Sequence, residues 1–229
     1  MVGVFIPIAL AIVVGLVEIW SKQFNLRKKP YDKKLMSFFA GISITYILLE
    51  LFPRFTEAAV LINKYVFLSV LVGFITHHLV EKEIYKHNHR HELIKMLSLE
   101  ERIFYFIYHF IFGVVLVTVL NQSFVGGMLF FVSILSYTLV SNLPASKHRS
   151  FERVIFYSSS TLLGVLFHLF IWKTIPHWLE ISLIGLAVGV LLFTVTRHHI
   201  PFGRKGKTGW FTAGFIAYSL LIIISWFFR

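Results

Sequence analysis

Long unbroken apolar stretches dominate this chain and restrict the environment in which it can fold. Crossing a hydrocarbon core of about 30 Å takes about 20 helical residues. Because 57% of the 229 residues are apolar and 14% are charged, we predict an all-α integral membrane protein, one membrane domain over 1–229 with eight transmembrane helices. The predicted spans are about 2–20, 35–53, 64–81, 102–120, 123–141, 153–173, 178–197 and 209–228.

Lys and Arg are distributed unevenly between the connections that join these spans. The odd-numbered connections carry 18 of the 22 Lys and Arg residues, and the opposite side carries four. Because basic residues accumulate on the cytoplasmic side, the odd-numbered connections are predicted to be cytoplasmic and both termini extracytoplasmic. The net charge of +11 therefore follows from topology, so we predict a multi-pass plasma-membrane protein whose partner is the lipid bilayer, with no nucleic-acid partner.

The longest connection, 82–101, is predicted to be a cytoplasmic loop that contains His87, His89 and His91. An extended backbone would put all three imidazoles on one side, whereas a helix would align only His87 and His91. The loop is predicted to bind a metal weakly or to buffer protons. Its second half, "HELIKMLSLEER", has the spacing of an amphipathic helix at the membrane surface.

Four ionisable residues are predicted to lie at membrane depth, where an unpaired charge costs several kcal/mol: Glu18, Glu50, His109 and His168. Glu50 and His168 each lie about 22 Å from the cytoplasmic end of their span, so they would meet if the second and sixth spans were neighbours. A carboxylate with imidazoles is a plausible ligand set for Zn, Mn or Fe, or a proton relay. The alternative is structural: a neutral hydrogen-bonded histidine, and a Glu50 that reaches the headgroups.

His77 and Glu81 end the third predicted span and, being four residues apart, share one face of a helix. They are candidate metal ligands at the cytoplasmic exit, although histidines at this depth also contact headgroups. There is no cysteine, so thiolate ligands are excluded. Gly185 and Gly189, a small-xxx-small pair, are predicted to bring two helices into close contact.

Three stretches resemble the ZIP family of divalent metal transporters: "FFAGISITYILLELFPRF" (38–55) its second span, "FLSVLVGFITHHLVEK" (67–82) its third, and "LIGLAVGVLLFTVTRHHIP" (183–201) its seventh. The resemblance implies a ZIP-like bundle of eight helices with both ends outside and a His-rich loop between the third and fourth. It also implies a homodimer that carries Zn or another divalent cation as substrate.

The metal-binding motifs of the family are largely replaced in this chain. Where the fourth span of the family has His-Asn-x-x-Asp-Gly, this chain has "YHFIFG" (108–113), and its fifth span, "ILSYTLVSNLP", offers no carboxylate or imidazole. Glu50 stands where the family has a histidine before Leu-Leu-Pro, and Arg54 replaces the Glu that follows the proline. Arg54 is therefore expected to pair with Glu50 and to reduce its value as a ligand.

Two functions remain open from the sequence. One is a ZIP-like transporter of a divalent metal cation with an altered pathway, and the other is a ZIP-fold protein that serves as a membrane scaffold or sensor or moves another solute. The spans contain no Asp–Asp, His-Glu-x-x-His or Ser–His arrangement, so we predict that the chain is not an enzyme and requires no cofactor.

Overall fold

A computed structural model describes residues 3–23, 32–87, 90–141, 151–172, 175–199 and 207–227. Within these ranges the chain is helical, with no strand. The α-helices are α1 (Phe5–Gln23), α2 (Asp32–Tyr46), α3 (Phe52–Ile62), α4 (Leu68–His87), α5 (Arg90–Gln122), α6 (Phe124–Ser141), α7 (Phe151–Ser158), α8 (Ser160–Leu166), α9 (His177–Thr194) and α10 (Thr208–Trp226). Each of the predicted stretches therefore falls mostly on helical residues where the chain is described.

Four helical segments in the described part of the chain are both long and apolar enough to cross a membrane: Lys33–Ile62, Lys95–Gln122, His177–Arg197 and Thr208–Trp226. Shorter apolar helices cover Phe5–Ser21, Phe124–Leu139 and Ser160–Ile171. The third predicted span covers the 3-10 helix Lys64–Phe67 and most of α4, whose second half also carries Glu81, Lys82 and Glu83. The all-helical class is confirmed, while eight membrane crossings remain a prediction.

The predicted loop 82–101 differs from expectation, because its described residues continue the helices on either side. Helix α4 extends to His87, and α5 already begins at Arg90. The extension of α4 is stabilised by an exposed pair, in which His87 Nδ1 lies 2.9 Å from Glu83 Oε1 one turn earlier. His89 lies outside the described residues, and so does the side chain of His91.

Glycines hold three pairs of helices in backbone contact: α2 with α10, α4 with α9 and α5 with α8. At each glycine a Cβ atom would collide with backbone atoms of the opposite helix. The residues are Gly41 and Gly214, Gly73 and Gly189, and Gly113 and Gly164. The close packing predicted for Gly189 is thus confirmed, and this type of contact suits membrane helices, which gain little from burying apolar surface against each other.

Three turns of π-helix occur among the described residues, and each carries one or more ionisable residues: Ile47–Leu51 carries Glu50, Phe167–Ile171 carries His168, and Val195–His199 carries Arg197, His198 and His199. The first turn lies between α2 and α3 and ends two residues before Pro53. Proline has no N–H to donate to the preceding turn, and the N–H of Phe52 donates five residues back to the carbonyl of Ile47. Glu50, which lies in this turn, is buried.

Candidate functional site

Glu50 forms an ion pair with Arg54 one helical turn later. Arg54 Nη2 lies 2.9 Å from Glu50 Oε1, and the exposed fractions of the two side chains are 18% and 3%. The predicted pairing is thus confirmed. Because Glu50 is the more deeply buried partner, its carboxylate needs a positive charge close by, and loss of that positive charge would leave a buried charge uncompensated.

Arg54 is also the start of a polar chain that crosses from α3 to α5 and α9. Its Nη1 donates to Gln122 Oε1 at 3.5 Å, and Gln122 Nε2 donates to Glu180 Oε1 at 3.3 Å. The other oxygen of Glu180 lies 3.2 Å from Nδ1 of His177. We call these five residues, Glu50, Arg54, Gln122, Glu180 and His177, the Glu50 cluster.

A second group of ionisable side chains joins α4, α5 and the π-turn that follows α9. His77 Nδ1 lies 3.6 Å from Glu100 Oε1, and Glu81 Oε1 lies 3.5 Å from Arg197 Nη2. His77, Glu81 and Glu100 are buried, whereas Arg197 is exposed. We call these four residues the His77 cluster. The predicted pair of His77 and Glu81 lies on one face of α4 as expected, but each residue faces a different helix.

Aromatic rings enclose His77 on several sides. Its ring centroid lies 4.8 Å from that of Phe104, 4.9 Å from that of Phe193 and 6.0 Å from that of Tyr108. Such rings exclude water and lower the local dielectric, which strengthens the interaction between His77 and Glu100.

His109 lies on α5 between the two clusters and is fully buried. Its Nδ1 lies 3.0 Å from Oγ1 of Thr161 on α8, and its ring stacks on Tyr105 with centroids 4.1 Å apart. A hydroxyl that can both donate and accept suits a neutral imidazole in an apolar interior. These contacts fit a structural role for His109 as a neutral, hydrogen-bonded histidine. His109 also lies between the two clusters along α5.

Glu50 and His168 were predicted to meet if the second and sixth spans are neighbours. Each residue lies in a π-helical turn, so the helices that pack against the two turns bear on this prediction. The turn of Glu50 packs against α9 and α10, whereas the turn of His168 packs against α5 and α8. His168 is partly buried and lies beside the backbone of Val114 on α5 and near the charge of Glu180. Glu180 is thus an acidic residue whose charge acts on His168.

The described part of the chain contains no group of three or more His, Asp or Glu side chains arranged to hold a metal ion. The five candidate ligands are instead divided between the Glu50 cluster, the His77 cluster, His109 and His168. Of the loop histidines, His87 is described, and it pairs with Glu83 on the surface of α4.

Helix α5 connects the two clusters across a distance that matches a membrane. Glu100 belongs to the His77 cluster and Gln122 to the Glu50 cluster, and 22 residues of helix between them measure about 33 Å. The hydrocarbon core of a bilayer is about 30 Å thick. The clusters therefore lie at opposite ends of a membrane-length helix, with His109 between them.

Sequence reasoning missed Glu100, Arg197, Gln122 and Glu180, which belong to these clusters. Glu100 was predicted to lie in a surface helix, yet Glu100, Phe104 and Tyr108 repeat every four residues and so share one face of α5. Continuing the helical period backward from the span would have placed Glu100 on the side that faces His77. Gln122, Glu180 and Arg197 have no comparable local pattern.

No protein-family model matches this chain, and no curated protein matches it.

Proposed function

We propose that this chain is a ZIP-like membrane transporter of a divalent metal cation with an altered pathway. One observation carries the proposal: a membrane-length stretch of α5 holds buried Glu100 at one end and exposed Gln122 of the Glu50 cluster at the other, with buried His109 between them. Ionisable groups inside a bilayer are costly, so their retention along one route favours ion movement over a purely structural role.

The proposal includes eight crossings, both termini extracytoplasmic and residence in the plasma membrane. It follows from the distribution of Lys and Arg that the His77 cluster would face the cytoplasm and the Glu50 cluster the outside. The resemblance adds a homodimer and a divalent cation such as Zn. Candidate ligands along the route are Glu50 outside, His109 and His168 in the membrane, and His77 and Glu81 at the exit.

The second candidate function is a ZIP-fold protein that does not transport metal but acts as a scaffold or sensor or carries another solute. Two observations favour it: the described residues contain no three-ligand group, and Glu50 and Glu81 are each paired with an arginine. A paired carboxylate offers less negative charge to a dissolved metal ion.

Metal uptake into proteoliposomes separates the two functions. We expect the natural chain to take up Zn²⁺ or Mn²⁺, and Glu50→Ala or His109→Ala to reduce the initial rate at least tenfold, because each removes a polar group from the route. The matched control is Glu57→Ala, an exposed carboxylate on α3. Uptake at the natural rate in both variants would refute the metal pathway.

Metal binding by purified protein distinguishes the core from the cytoplasmic loop. Titration with Zn, Mn, Fe and Cd is repeated on a variant with alanine at His87, His89 and His91. We expect this variant to lose weak sites and to keep the core site, because the Glu50 cluster does not involve α4. Complete loss of binding in the variant would favour the second function.

A further inference from the structure

The side chain of Arg54 lies in a position that has the chemistry of a cation site. Its guanidinium is bound by the Glu50 carboxylate at 2.9 Å and by the Gln122 carbonyl oxygen at 3.5 Å. These oxygens come from two different helical segments, and Glu180 joins them through Gln122. The guanidinium therefore has the place that an oxygen-bound cation would have.

The charges around this position favour a cation. The guanidinium of Arg54, which is attached to the same chain, occupies it. Glu50 is nearly fully buried, so its negative charge needs a partner at close range. Among the described residues, Arg54 pairs with Glu50, Gln122 connects Arg54 to Glu180 and His177, and the charge of Glu50 acts on Tyr218 of α10. Carboxylate and amide oxygens are the ligands that hard cations such as Mg²⁺, Ca²⁺ and Mn²⁺ prefer.

Arg54 is less buried than Glu50 and has a long flexible stem, so its guanidinium can reach the headgroup region without moving the helix. The hydrogen bond to Gln122 is long and lies in an exposed setting, so it is easily exchanged. The guanidinium can thus leave while both oxygens stay in place.

We propose that Arg54 is a tethered counter-cation in an oxygen site formed by Glu50 and Gln122, and that a hard divalent cation enters this site by displacing it. The inference rests on the proposed transport and identifies its outer site. Arg54 then sets the affinity for cargo, because each ion that binds must compete with a guanidinium on the same chain.

Calorimetric titration of the purified chain with Mn²⁺ tests the site independently of transport. We expect Arg54→Gln to lower the Kd for Mn²⁺ at least tenfold and Arg54→Lys to leave it within threefold, because lysine is still a counter-cation. The double variant Glu50→Gln with Arg54→Gln should return to the natural affinity. The matched control is Lys64→Gln, which removes an exposed cation from the turn after α3.

A second variant keeps the test decisive if Arg54→Gln does not fold. The chain has no cysteine, so Arg54→Cys can be modified selectively. We expect Arg54→Cys to bind Mn²⁺ more tightly than the natural chain. A thiosulfonate that attaches a trimethylammonium group restores the positive charge and should abolish this gain in affinity. A methyl thiosulfonate adds no charge and should preserve the gain.

The proposal is overturned if loss of the Arg54 charge leaves the Kd unchanged, or if tight binding persists after Glu50→Gln. Tight binding by Arg54→Gln without uptake by the natural chain would support the site and refute the transport function. The two proposals therefore fail separately.

Discussion

Replacing Gly164 with valine will separate α8 from α5 and prevent the bundle from forming its native contacts. A Cβ atom at Gly164 would collide with the carbonyl of Phe110 and would lie 3.2 Å from the Cα of Gly113. These are backbone atoms, which cannot rotate away as a side chain can. We expect a loss of about 3 kcal/mol or more in the free energy of unfolding, at the upper end of overpacking effects.

Gly209→Val is the matched control for this prediction. Gly209 lies in the first turn of α10, and a Cβ there meets nothing within 4 Å. Thermal unfolding of the detergent-solubilised variants, followed by size-exclusion chromatography, measures the difference. A melting temperature for Gly164→Val equal to that of Gly209→Val would contradict the observed contact of α5 with α8.

Glu100→Gln is expected to reduce divalent metal uptake at least tenfold while the protein remains folded. The amide keeps the shape of the side chain but removes the negative charge that faces His77 among Phe104, Tyr108 and Phe193. In this low-dielectric setting a lost charge changes the electrostatic potential far more than it would at the surface.

Glu83→Gln is the control, because it removes the carboxylate from a second His–Glu pair, that of His87 and Glu83, which is exposed to solvent. His87 and Glu83 are more than half exposed, so solvent screens their interaction and the variant should transport within twofold of the natural rate. Initial rates of Zn²⁺ and Mn²⁺ uptake into proteoliposomes compare the two variants. Equal rates for Glu100→Gln and the natural chain would show that the His77 cluster is structural.

The features that the sequence predicts well depend on residues close together along the chain. Apolar stretches of about 20 residues predict helices because length and composition are local properties. The pair of Glu50 and Arg54 was predictable because residues four apart meet on a helix, and Gly189 because small residues permit close approach. The extent of α4 and α5 was not predicted, since polar residues between two spans are compatible with either a loop or a helix.

Partners on different helices were decided only by the tertiary structure. Local periodicity says which face of a helix is polar, but the rotation and axial position of that helix against its neighbours determine which polar groups meet. His77 therefore pairs with Glu100 on α5, although the sequence predicted that it would bind a metal together with Glu81. Arg54 contacts Gln122, which is 68 residues away along the chain. The sequence by itself determined an all-helical chain with apolar, membrane-length segments, whereas the packing of helices that are distant along the chain decided how its ionisable residues are paired.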